Sequence, residues 1–269
     1  RVSINNNGGN MFSHLKRRIG VLTAVAVLAA LVPTLAVSTA SAAPATTAVS
    51  PATSTTLSAC PASASIPSAA FTDTTSTDVD CIAYYDITTG VTADTYEPTA
   101  NIPRWQMALF LTRFATEAGV TLGDGSDQDF TDISGWSADI QTAINQLKQL
   151  GVTNGTTATT YSPDDNVTRE QMAMFIDRLL SNTAVGPNGD SSDTLTTNIS
   201  GNVLTYNYTD IDAGSVTYEG HNSIAEMYHH GVFGHAKTDT TFTPLADITR
   251  ADMATWLTNA LAHTNLRPS

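Results

Sequence analysis

Apolar residues recur at helical spacing in three stretches of the chain. They are Met107, Phe110, Leu111, Phe114 and Ala115; Met172, Phe175, Ile176, Leu179 and Leu180; and Met253, Trp256, Leu257, Ala260 and Leu261. Steps of three and four positions put each set on one face of an α-helix, so three amphipathic helices are expected. Thr168 with Gln171 reads as a capping box at the start of the second, and Thr249 with Asp252 as a similar start to the third. Pro103 stands in the threonine's place ahead of the first, which loses a side-chain cap but tolerates proline there.

The residues around these stripes repeat as well. Pro98 and Arg104, Pro163 and Arg169, and Pro244 and Arg250 are each six positions apart, and Met107-Ala108, Met172-Ala173 and Met253-Ala254 follow the arginines at one offset. An aromatic-Thr-Asp triplet precedes each: Phe71-Thr72-Asp73, Phe130-Thr131-Asp132 and Tyr208-Thr209-Asp210. The chain is therefore a threefold array. Ile140, Ala143, Ile144 and Leu147 predict a first helix in the second copy, ending at Gly151, where glycine suits a left-handed cap. Ile224 and Met227 before Gly231 give a weaker version in the third copy. Gly90 is the expected counterpart in the first, behind only a ragged pattern over residues 81–89, and Val91, Val152 and Val232 follow the three glycines. Each unit thus reads as helix, glycine turn, loop with an aromatic and a proline, and arginine helix.

Composition adds a location. The 269 residues are 41% apolar with a formal charge of −13, which predicts an acidic protein and argues against nucleic acid as a partner. Residues 1–10 are polar; from Met11 a basic stretch, His14 to Arg18, leads into an apolar run, Ile19 to Val37, and then Ala40-Ser41-Ala42. Residues 11–42 read as a secretory signal peptide. An uncleaved membrane anchor is the competing reading, which Pro33 and the small-residue site disfavour. Cleavage removes Arg1, Lys16, Arg17 and Arg18 and no acid, making the exported chain more acidic still, with no membrane contact expected after it. Arg104, Arg113, Arg169, Arg178 and Arg250 all fall in the repeated helices. Residues 43–70, rich in Ala, Thr, Ser and Pro, have too few large apolar groups for a core and read as a flexible stalk. Cys60 and Cys81 are the only cysteines and are expected to pair in an exported chain, worth about 3 kcal/mol by loop closure; free thiols or a cross-link between chains are the alternatives. The remaining divisions are 71–119 for a divergent first repeat, 130–181 for the second, 182–207 for a linker with a short strand at Asn202 to Tyr206, and 208–263 for the third.

The segments FTDISGW, LGVTNG, YSPDDNVTREQMAMFIDRLL, YTDI, HGVFGH and FTPLADITRADMATWL resemble S-layer homology repeats, and the resemblance runs from Phe71 to about His263. It implies a mainly α fold in which three helix-loop-helix repeats stand in a pseudo-threefold arrangement around a central bundle of arginine helices. It also implies a non-catalytic module that holds an exported protein to cell-wall polysaccharide, often through an anionic, pyruvylated amino sugar, without a cofactor. The family's binding arginine maps onto Arg169 and Arg250, with Thr168 and Thr249 beside them. Arg104 matches by spacing alone, because Ile102-Pro103-Arg104-Trp105 departs from the motif. Trp136, Asp132 and Asp210 complete the implied polysaccharide site.

The chemistry of these residues agrees with such a role. A guanidinium presents a planar fork to a carboxylate, and backbone amides at a helix N-terminus favour an anion. Against this stands a structural reading in which each arginine pairs with an acid of its own chain, such as Asp132, Asp210 or Asp252, and locks a turn. His221, His229, His230 and His235 are a weaker zinc candidate without an i, i+4 pair, and Asp124, Asp127 and Asp129 lack the register of a calcium loop. Neither is expected to bind metal. No Gly-x-Ser-x-Gly, HExxH or Cys/His pairing marks a hydrolase. An envelope module that binds protein is the second function class and a small secreted hydrolase the third; self-association is left open.

Overall fold

A computed structural model describes residues 59–60, 66–183, 206–234 and 238–264. The expected signal peptide, most of the expected stalk, nearly all of the expected 182–207 linker, its short strand up to Tyr206, and His235 lie outside the described residues. Six helices make up the regular structure: α1 (Thr77–Tyr84), α2 (Arg104–Glu117), α3 (Ala138–Gln149), α4 (Arg169–Leu180), α5 (Tyr218–His229) and α6 (Arg250–Leu261). Backbone pairing among the described residues is confined to three isolated bridges, so the fold is mainly α. No helix among them is long and apolar enough to cross a membrane. All fall within one compact unit, Thr47–Ser269.

The three stripes form as their spacing predicts. Thr168 and Gln171 make the reciprocal capping box, Thr249 accepts from the Asp252 amide, and Pro103 leaves α2 without a side-chain cap. Met107, Phe114, Met172, Met253 and Leu257 are fully buried in a single apolar core. The paired helices are not the two of one copy. Each arginine helix packs on the first helix of the next copy, α2 on α3 and α4 on α5, and α6 closes the chain against α1. At the centre, Ile102, Val167 and Ile248, each two residues before an arginine, form a closed cycle of backbone hydrogen bonds: Ile102 donates to Ile248, Ile248 to Val167 and Val167 to Ile102. Burial leaves these amides no water, so the cycle satisfies groups that would otherwise cost stability.

One expected correspondence needs correction. The counterpart of Gly151 (φ +73) and Gly231 (φ +72) is Asp86 (φ +53), not Gly90. Asp86 donates to Ala83 and Ile87 to Ile82, as Gly151 donates to Lys148 and Val152 to Leu147. Aspartate tolerates the left-handed region better than most residues, so glycine is not obligatory at this cap. Gly90 instead matches Gly155: a β-carbon on either would fall 2.5 or 2.6 Å from the ring of Phe71 or Phe130. In the first copy Ile87, rather than Val91, therefore takes the buried place of Val152 and Val232. Helix α1, at eight residues, is too short to show a clear stripe.

Cys60 and Cys81 are joined in a disulfide, Cα to Cα 5.8 Å, tying residues near the end of the stalk to α1. The Tyr85 hydroxyl adds a hydrogen bond to the Ala59 carbonyl.

Candidate functional site

The aromatic-Thr-Asp triplet is a clamp on the loop that leads to the arginine helix. Its aspartate accepts from two successive loop amides: Asp73 from Tyr96 and Glu97, Asp132 from Tyr161 and Ser162, Asp210 from Phe242 and Thr243. Hydrogen bonding from the Tyr96 amide holds the Asp73 carboxyl below the usual carboxylate range. The threonine amide donates to the same loop, Thr72 to Asp94, Thr131 to Thr159 and Thr209 to Thr240. The aromatic packs on the loop aromatic, with ring centroids 5.7, 5.6 and 5.5 Å apart for Phe71 and Tyr96, Phe130 and Tyr161, and Tyr208 and Phe242. The clamped residue after each loop aromatic, Glu97, Ser162 or Thr243, is held at positive φ.

An arginine from the preceding copy covers the other side of each loop aromatic. Arg104 lies 4.6 Å from the Tyr161 ring, Arg169 5.0 Å from Phe242 and Arg250 4.5 Å from Tyr96. Each Nε donates to the carbonyl of that same residue, at 2.7, 2.8 and 2.5 Å. The three residues are 3%, 7% and 3% exposed, and this burial pushes all three guanidinium pKa values down.

The outer nitrogens differ from copy to copy. Arg169 Nη1 meets the Asp252 carboxylate at 2.9 Å, so here an acid of the same chain is the partner. Arg250 Nη1 meets the neutral Gln106 Oε1 at 2.8 Å. Arg104 has no side-chain acceptor among the described residues, because Gln171, which stands where Asp252 and Gln106 stand, is held by the Thr168 amide in the capping box. Asp132 and Asp210 make no ion pair with these arginines; both their oxygens receive loop amides. Thr168 and Thr249 spend their side chains as helix caps. Half-buried Trp136 stacks on Trp105, the neighbour of Arg104, with centroids 5.5 Å apart.

The first two amides of each arginine helix, expected to favour an anion, are already taken. The first amide of each arginine helix donates to a loop carbonyl of another copy: Arg104 to Asp165, Arg169 to Ala246 and Arg250 to Ala100. The second donates to the carbonyl of the motif proline: Trp105 to Pro163, Glu170 to Pro244 and Ala251 to Pro98.

Two hollows open beside these arginines. One, about 500 Å³, is lined by Arg169 and residues 238–243, Asp239 among them. The other, about 200 Å³, is lined by residues 88–91, Trp105, Gln106, Leu109, Phe110, Arg113 and Arg250. Arg113 is a cation whose part could have been suspected from its place nine positions after Arg104, which Arg178 repeats after Arg169. Elsewhere, His230 stands 3.9 Å from Glu226 and its carbonyl meets His263 Nε2 at 2.8 Å. Among the described residues no three His, Cys, Asp or Glu side chains converge as a metal site. In the acidic loop, Asp124 takes hydrogen bonds from the Ser126 amide and Gln149, and Asp127 from the Asp129 amide.

An endoglucanase from Bacillus sp. (strain KSM-635) is 36% identical over 90 residues, which are 33% of this chain and 9% of that protein. The chain thus corresponds to a small part of that relative's length. The S-layer homology domain family matches residues 129–173, from the second aromatic-Thr-Asp triplet into the arginine helix α4. Within this chain, then, it is residues 129–173 that match the S-layer homology domain family.

Proposed function

We propose that this chain is a non-catalytic anchor that holds to an anionic cell-wall polysaccharide through the arginines between its repeats. The S-layer homology domain at 129–173 is a cell-wall anchoring module, and a cell-surface or cell-wall location goes with it. On this reading all three copies act as one pseudo-threefold platform, the signal peptide exports the chain, and the stalk and the 182–207 segment serve as spacers. The endoglucanase resemblance spans too little of that protein to bring its activity with it.

The observation that carries the proposal is the state of the arginines in a chain of net charge −13. Arg104 and Arg250 are buried, yet neither forms an ion pair among the described residues, and their outer nitrogens are not sealed from solvent. A buried cation ordinarily needs an anion beside it; Asp165 and Asp132 act on Arg104, and Glu97 and Asp73 on Arg250, through space without an ion-pair contact, so the place for a direct partner is open. The fork is fixed at Nε by a carbonyl and at its face by an aromatic ring, which leaves the outer nitrogens of Arg104, and the outer nitrogen of Arg250 not taken by Gln106, for a carboxylate. Thr168 and Thr249, Asp132 and Asp210 position the helices and loops, and Trp136 offers an apolar face to a sugar.

Binding isotherms on purified wall polysaccharide, paired with melting curves, test this. Replacing Arg250 with lysine keeps a charge and loses the fork, so the folded protein binds more weakly, and alanine weakens it further. Lower melting temperature with unaltered affinity for Arg250→Ala would leave the arginine a purely structural part.

A further inference from the structure

Within a copy the first helix and the arginine helix end at a shared corner, and the copies build that corner from different chemistry. In the second copy the residues one, two and five positions before the Gly151 cap are Leu150, Gln149 and Gln146. Asn182, thirteen positions after Arg169, donates from Nδ2 to the Leu150 carbonyl at 3.3 Å. None of these four side chains can ionise. In the third copy the same places before Gly231 hold His230, His229 and Glu226, and His263 stands where Asn182 stood, with Nε2 on the His230 carbonyl at 2.8 Å. All four ionise. In the first copy Cys81 takes the place of Gln146 and Glu226, so a disulfide crosses there.

We infer that the third corner, Glu226 with His229, His230 and His263, is an acid-responsive latch that holds the ends of α5 and α6 together and loosens as its imidazoles gain protons. A carbonyl can only accept, so the His263 Nε2 that meets one carries the ring's proton, and a second proton must land on Nδ1. That atom is closed to solvent, as are His229 Nε2, His230 Nε2 and Glu226 Oε1. Glu226 and His263 are 2% and 4% exposed. The Glu226 carboxylate, 3.9 Å from His230 Nε2, balances one imidazolium. A second, on rings whose centroids are 4.8 Å apart, adds like charge where water does not reach, and the fold opposes it. The neighbouring elements bring further charged groups. Asp177 of α4 accepts from Ser223 one turn before Glu226, Arg178 of α4 binds Glu219, and Asp78 of α1 accepts from Thr255 of α6. His229 packs on Tyr228, which carries Tyr208 and feels the Asp239 charge, while His221 is held by the Ile211 carbonyl and Tyr206. An unfolded chain takes protons on these rings freely below about pH 6.5, so the latch's contribution is full above that value and is lost as pH falls below it. Because α6 also closes the chain against α1, the loss reaches the whole fold.

The latch does not depend on what the chain anchors to, and urea denaturation of the secreted protein at about pH 7.5 and about pH 5.5 tests it. One imidazole kept neutral in the fold raises the unfolding constant about tenfold over that interval, because the unfolded ring gains about a tenfold excess of its charged form. His263→Asn imports the residue of the second copy: it keeps a donor for the His230 carbonyl and removes the enclosed proton site, so most of the rise disappears. An equal rise in the parent and in His263→Asn, or no rise in the parent, overturns the inference. If His263→Asn does not fold at the higher pH, the parent alone decides through an NMR titration of its imidazoles. The latch requires that at least one of His229, His230 and His263 is still neutral at about pH 5.5 in the folded protein, about one pH unit below the ordinary value. Charging of all three before that pH overturns it.

Discussion

Arg104 and Tyr161 hold each other twice across the boundary between two repeats. Arg104 Nε donates to the Tyr161 carbonyl at 2.7 Å, and the Tyr161 hydroxyl donates back to the Arg104 carbonyl at 2.9 Å. Tyr96 and Arg250 repeat the pairing, with the hydroxyl bond at 2.8 Å. At Phe242 the hydroxyl is missing and the one-sided bond from Arg169 is supplemented by Asp252. The Arg169 boundary thus replaces a tyrosine hydrogen bond with an ion pair. Tyr161→Phe makes the Arg104 boundary resemble it without the aspartate and should cost about 1 kcal/mol, the usual worth of one hydrogen bond. Urea denaturation of the variant checks this; no change would mean the hydroxyl bond is idle.

The copies should unfold together. Each arginine helix packs on the first helix of another copy, α6 returns to α1, and the central cycle of Ile102, Val167 and Ile248 needs all three. Phe175 is 4% exposed on α4, so Phe175→Ala should cost on the order of 3 to 5 kcal/mol and lower the midpoint of a single transition. Three separable transitions, or a loss near zero, would show that the copies stand alone.

What the sequence could and could not disclose follows from the range of the interactions. The arginine helices were legible because their stripes and caps are local: Met172 to Leu180 bury one face, and Thr168 meets Gln171 three residues away. Arg104 reaching Tyr161, 57 residues on, leaves no local signature, so the copy that receives each arginine could not be read. Nor could the amides at Arg169 and Glu170 be seen as already taken by Ala246 and Pro244. The misplaced glycine in the first copy has a simpler cause. Asp86 adopts the left-handed cap that glycine fills elsewhere, and Gly90 answers a different need, room for the Phe71 ring. Asp252 was readable both as a helix-start residue and as a partner for arginine; it borders the capped first turn and pairs with Arg169.

The acidic loop gives a pH dependence with a defined sign. Hydrogen bonds from the Ser126 amide, then from Gln149, bring the Asp124 carboxyl down to about 2. A folded pKa below the unfolded value of about 3.9 means that its stabilising contribution is present above that value and is lost as pH falls toward 2. Carboxyl titration by NMR should place Asp124 well below Asp residues of ordinary pKa, and Gln149→Ala should raise it. A value near 3.9 in the parent would remove the loop's tie to α3.

The disulfide should be present in the secreted protein and absent from its reduced form, with α1 the helix most affected. Reduction is expected to cost about 3 kcal/mol by loop closure, since Cys60 and Cys81 lie 21 positions apart. Mass spectrometry of the non-reduced protein after alkylation reads the outcome. Two alkylated thiols per chain would contradict it.

The anchoring role itself is tested most directly by cosedimentation. The mature protein is mixed with purified cell wall, intact or stripped of its polysaccharide, at low and high salt. Anchoring predicts that the protein pellets with intact wall, stays in solution with stripped wall, and releases partly as salt screens the exposed edges of the arginine contacts. Equal pelleting with intact and stripped wall, or none with either, would contradict it.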